Sequence, residues 1–117
     1  MKFDFVVVGA TGMQGRIVTR DLVENGYSIL MCGRDESRVH HLLKKYKSKV
    51  AFAYLDLTDA NNAKKVIENS GAKVAVNCAE GDWNDKAVEI FADCGVHSID
   101  LGSDIPILKK QLAMKNL

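Results

Sequence analysis

Apolar residues along the chain fall into two alternating patterns. Short unbroken runs, the first being Phe5-Val6-Val7-Val8, give way to stretches in which apolar side chains recur every three or four positions. A run without polar alternation suits a strand covered on both faces. The spaced pattern has the period of a helix with one buried stripe. The alternation predicts strands at Lys2–Val8, Tyr27–Cys32, Val50–Leu55, Lys73–Cys78 and Val96–Leu101. It predicts helices at Met13–Asn25, Glu36–Tyr46, Ala60–Asn69, Asn84–Asp93 and Asp104–Asn116. Expected inward residues are Ile17, Val18, Leu22 and Val23 on the first helix and Val39, Leu42 and Leu43 on the second. Ala63, Val66 and Ile67 follow on the third, then Ala87, Val88, Ile90 and Phe91 on the fourth.

The links between these segments are short. Gly26 is placed to end the first helix, Asp35 or Ser37 can cap the second, and Thr58 or Asp59 the third. Strands and helices that alternate on short links require parallel strands, right-handed crossovers and helices on both faces. The expectation is an α/β doubly wound parallel five-stranded sheet in the order 3-2-1-4-5. Its ligand crevice should lie between the carboxyl ends of strands one and four. At 117 residues, with no internal repeat or linker, the chain reads as one domain spanning residues 1–117.

Composition narrows the function classes. Sixteen basic and fifteen acidic residues leave a net charge of +1, without the basic stripe of a nucleic-acid surface. Lys44, Lys45, Lys47 and Lys49 cluster where they complement a helix end. The chain opens directly on a strand, so neither signal nor transit peptide is expected. No apolar run approaches the roughly 20 residues that span a bilayer. Cys32, Cys78 and Cys94 are odd in number and widely spaced, as expected of buried thiols in a reducing, cytoplasmic compartment. His40, His41 and His97 add no metal-ligand spacing to them, so no metal is expected.

Chemistry enters at the first link, Gly9-Ala-Thr-Gly-Met-Gln-Gly15. Gly9 lets the chain turn sharply off its strand, Gly12 lets backbone approach a diphosphate, and Gly15 lets the helix lie close on the strand. The first amides of that helix, at its positive dipole end, then face the phosphates. With a strand before it and a helix after it, the loop reads as the dinucleotide-binding turn of a Rossmann-type fold. It lacks the Lys-Ser/Thr pair of nucleoside triphosphatases.

NAD sites place an acid at the end of strand two to bind the ribose diol. Here Cys32 or Gly33 occupies that place, and neither can accept those bonds. Arg34 follows at once and Arg38 one helical turn later, and a guanidinium can grip a 2′-phosphate bidentately. NADP is therefore expected rather than NAD, with Arg34 as the main contact. Asp35 sits past the arginine, where capping the helix is its natural work. Asp56 could accept from the adenine amino group with Leu57 against the ring, or could serve only the turn ahead of Thr58. Asn77, Cys78 and the loop from Ala79 to Gly81 should close the crevice opposite the glycine loop. Trp83 is expected to pin its helix, and Asp100 to bond nearby loop amides.

Four motifs in fixed order extend this reading: Val-Val-Gly-Ala-Thr-Gly-Met-Gln-Gly-Arg (7–16), Cys-Gly-Arg-Asp (32–35), Leu-Asp-Leu-Thr-Asp (55–59) and Cys-Gly-Val-His-Ser-Ile-Asp-Leu-Gly (94–102). Together they resemble the N-terminal NADP-binding domain of saccharopine dehydrogenase-like oxidoreductases, over nearly the whole chain. The resemblance implies pyrophosphate binding by Gly9, Thr11, Gly12, Met13 and Gln14, 2′-phosphate binding by Arg34 and adenine contact by Asp56. It also implies an amino-acid or imine-type substrate. Family members often have Gly-Pro after strand four, where this chain has Ala79-Glu80-Gly81. They also continue into a sixth strand and a substrate domain, so the chain is expected to be a fragment or stand-alone module.

On that expectation the domain alone is inactive. Hydride transfer needs an acid–base group and a substrate held in line, and Asp82, Asp100 and Asp104 crowd one rim with nothing opposite. A non-catalytic nucleotide-sensing module is the alternative; such modules tend to end strand two with an acid. A short-chain reductase is disfavoured because no Tyr-x-x-x-Lys pair occurs. A homodimer is expected through the strand-five edge or the last helix, since no sixth strand covers that edge.

Overall fold

The computed structural model describes residues 2–79 and 84–100, without the side chains of 84–86 and 100. The strands are β1 (Phe5–Val8), β2 (Ile29–Gly33), β3 (Val50–Tyr54), β4 (Val74–Asn77) and β5 (His97–Asp100). Between them run α1 (Met13–Glu24), a 3₁₀ turn (Glu36–Val39) continuing into α2 (His40–Lys45), α3 (Ala60–Ser70) and α4 (Asn84–Asp93). All strand pairs are parallel and the order is β3-β2-β1-β4-β5, as the pattern predicts. The expectations for Glu80, Gly81, Asp82, Trp83, the Asp100 side chain and the helix Asp104–Asn116 lie outside the described residues.

Strict alternation along each strand divides the core in two. Val6, Val8, Leu30 and Cys32 face Ala63, Ile67, Ala87, Ile90 and Phe91 of α3 and α4. Val7, Ile29 and Met31 face Val23, Val39 and Leu42 from α1, the 3₁₀ turn and α2. Both faces of β1 and β2 are thus covered, which is why their runs contain no polar residue.

The strands are shorter than their hydrophobic runs because local bonds capture the ends. Asp4 leaves the β1 ladder, its carboxylate accepting from Ser28 N (2.8 Å) and Ser28 Oγ (3.1 Å). Tyr27 N donates to Leu22 O (3.1 Å), so Tyr27 belongs to the turn ending α1. The predicted second helix is split. Val39 adopts φ −119° and ψ 11° at the join, and Val39 and Leu42 both enter the core on this face of the sheet.

Ile17 corrects the expected stripe of α1: it is 51% exposed. The fully buried positions are Gly15, Thr19 and Val23, four residues apart, and Ile17 lies about 160° around the helix from Thr19. Small residues on the buried side bring α1 close to the sheet and turn the apolar Ile17 outward. It joins Met13, Arg16, Arg20, His41 and Leu42 around a shallow groove.

No described helix is long and apolar enough to cross a membrane. Among the described residues no group of His, Cys, Asp or Glu could hold a metal ion.

Candidate functional site

The carboxyl ends of the parallel strands meet in a cleft of about 420 Å³. Its floor begins at Gly9, whose φ of +76° turns the chain off β1. A side chain there is barred twice, since a Cβ would also fall 2.6 Å from Ala79 N. Ala10 N then donates to Cys32 O (3.0 Å) and Gly12 N to Gly9 O (3.2 Å), fixing the loop against β2 and itself.

Gly12 stands at the N-cap of α1 without a side-chain cap, and no acid occupies the first turn. The helix therefore presents unneutralised amide donors and its positive dipole end to the cleft. Gly12 leaves room above them, because a Cβ built on it would meet only Gly9 O at 3.5 Å. An open, cationic, donor-rich end of a helix fits a diphosphate.

Four segments contribute the walls. Gly9, Thr11, Gly12, Met13 and Gln14 come from the first loop, Gly33 and Arg34 from the end of β2, Asp56 and Leu57 from beyond β3, and Cys78 and Ala79 from beyond β4. Val8 and Leu55 also line it. They end the apolar runs of strands one and three, and that position was the available signal for a lining role.

Arg38 and Asn77, both expected at the site, are absent from the cleft wall among the described residues. Arg38 Nε lies 3.6 Å from Asp35 Oδ2, drawn back along its own helical turn. Asp35 meanwhile caps that turn, accepting from Ser37 N at 3.1 Å. Asn77 is buried beneath the cleft, where its Oδ1 accepts from Ala79 N at 3.0 Å. It braces the turn that carries Ala79 up to Gly9.

Asp56 serves the turn considered for it and also lines the cleft. Its Oδ1 accepts from Thr58 N (2.9 Å) and Thr58 Oγ1 (2.7 Å), holding the turn before α3. The Thr58 hydroxyl, then the Thr58 amide, hold its carboxyl below the usual range, and the Arg34 cation adds to this. It is thus an anionic acceptor on the cleft wall. Cys32 is the opposite case: burial pushes its thiol up to about 12, so it is an inert core group rather than a nucleophile.

A family model described as "NAD dependent epimerase/dehydratase family" matches residues 5–97. Methionine adenosyltransferase 2 subunit beta of Xenopus tropicalis is 32% identical over 74 residues, 63% of this chain and 19% of that protein. The chain thus spans about a fifth of that relative's length. The NAD(P)-binding domain of an exopolyphosphatase-related protein from Archaeoglobus fulgidus superposes with a TM-score of 0.74 at 17% identity, covering 96% of this chain and 82% of that one. Saccharopine dehydrogenase (L-Glu forming) from Saccharomyces cerevisiae gives 0.73 at 17% identity, covering 92% of this chain and 23% of that one.

Proposed function

This chain belongs to the NAD dependent epimerase/dehydratase family, and from that premise we propose that it is the NADP(H)-binding domain of an oxidoreductase. The observation that carries the cofactor choice is the end of β2. Gly33 stands where an NAD site has its ribose-binding acid, and Arg34 lines the cleft beside it. Opposite, the uncapped start of α1 suits the pyrophosphate, and Asp56 with Leu57 suits the adenine. Bound NADPH would supply a hydride; the residues of this chain hold and orient it. The four ordered motifs support the finer assignment to a saccharopine dehydrogenase-like enzyme with an amino-acid or imine-type substrate, bound by a further domain. The lack of an acid at the end of β2, with Arg34 beside it, also argues against the nucleotide-sensing alternative.

Calorimetric titration with NADPH and NADH tests this. Charge-assisted bonds to a 2′-phosphate are worth about 1.5–3 kcal/mol, so NADPH should bind roughly ten- to hundredfold more tightly. Arg34→Ala should erase that preference. Equal affinities in the native chain, or undiminished preference in the variant, would overturn the assignment.

We also infer self-association through β5, whose only described ladder is with β4 and whose Ile99 is 53% exposed. Sedimentation at tens of micromolar should show a dimer that dissociates when Ile99 is changed to Lys. A strict monomer at that concentration would sink the idea.

A further inference from the structure

The end of β2 carries glycine although its backbone does not demand one. Among the described residues, glycines with positive φ are Gly9, Gly26, Gly71 and Gly95; Gly33 is not among them. Gly33 is instead a ladder residue paired with Tyr54, a setting in which glycine ordinarily weakens a strand. One neighbour crowds anything larger. A Cβ on Gly33 would fall 2.8 Å from Thr11 Cγ2 and 3.0 Å from Thr11 Oγ1, while Thr11 Cβ stands at an ordinary 3.5 Å. The backbone is poorly placed to swing clear: Cys32 O accepts from Ala10 N and Gly33 O from Leu55 N, both at 3.0 Å. Thr11 is half-buried, and its branched side chain has few rotamers to retreat into.

We propose that Thr11 is a specificity-determining residue: its side chain fills the space a carboxylate at position 33 would need, so selection of the dinucleotide passes to Arg34. The proposal deepens the NADP(H) reading and rests on it. Glycine at 33 and arginine at 34 are then coupled consequences of the residue across the cleft. An acid introduced at 33 cannot reach the ribose diol unless Thr11 is trimmed as well.

The test is a titration of four chains with NADPH and NADH: native, Thr11→Ala, Gly33→Asp and the double variant. Gly33→Asp alone should lose NADPH affinity and gain none for NADH. The double variant should bind NADH about tenfold more tightly than Gly33→Asp does. Thr11→Ala should weaken both dinucleotides equally, leaving their ratio unmoved. Gly33→Asp binding NADH as tightly as the double variant, or a double variant with no gain, overturns the proposal. A second cycle needs no ligand. Gly33→Ala should lower the thermal midpoint by about 5 °C, and the added Thr11→Ala should abolish that loss. An unchanged midpoint in Gly33→Ala also overturns the proposal. A native chain without NADPH preference sinks the cofactor reading; a native chain that prefers NADPH while Gly33→Asp takes NADH freely sinks only the role of Thr11.

Discussion

A Gly12→Val variant is expected to fold as the native chain does and to bind no NADPH. Gly12 has φ −79° and ψ 171°, extended backbone that valine adopts readily. Its Cβ would touch only Gly9 O, at 3.5 Å, and the position is exposed. Nothing in the core opposes the substitution. The two added methyl groups instead enter the space over the first amides of α1, where the pyrophosphate must sit. Losing two or more charge-assisted bonds of about 1.5–3 kcal/mol each lowers affinity by roughly a hundredfold or more. Circular dichroism and titration on the same sample decide the matter. A folded variant that still binds NADPH normally would place the phosphate site elsewhere.

Three residues on, Gly15→Ala should do the reverse and damage the fold. Glycine to alanine inside an exposed helix ordinarily stabilises by about 1 kcal/mol. Here the new methyl would fall 2.6 Å from Ala10 Cα and closer still to the Gly9 carbonyl oxygen. These are backbone atoms of the loop and cannot rotate away. Either α1 lifts from the sheet, stripping cover from Val7 and Met31, or the loop deforms. Overpacking of this kind costs about 1–3 kcal/mol and can exceed that against backbone. A fall of about 10 °C in the thermal midpoint is expected for a domain of this size. A midpoint at or above that of the native chain would show that the helix does not approach the loop so closely.

The contrast between these two glycines shows what could be read in the sequence. Strand order and the place of the cleft followed from Phe5–Val8 running into a glycine loop, and from the repetition of that alternation. The phase of α1 did not follow. Hydropathy ranks Ile17 above Gly15 and Thr19, yet close approach to a sheet is made by small residues, and Thr19 satisfies its hydroxyl by donating to Gly15 O (2.8 Å). Asn77 and Arg38, read as ligand contacts, have other bonds within the chain. The Asn77 Oδ1 accepts from Ala79 N and the Arg38 guanidinium lies beside the Asp35 carboxylate, contacts that no hydropathy pattern announces. Gly33 and Arg34 line the cleft, but the steric pressure of Thr11 on Gly33 spans two distant segments. Neither segment signals it alone.

The central position of β1 has a consequence for how the chain assembles. β1 pairs with β2 through one crossover but with β4 only after β2, β3, three α-helices and the 3₁₀ turn have intervened. Closing that longer loop carries the larger entropic penalty, so the β1–β2–β3 half is favoured to form first. That half already holds the glycine loop, Arg34 and Asp56. Ala79, which closes the cleft against Gly9, arrives only when β4 docks. A dinucleotide in the finished cleft lies across the seam between the early and late halves. Binding only the completed state, it contributes little to the first folding step and retards the separation of β4 from β1, acting as a kinetic clasp on the last seam to close.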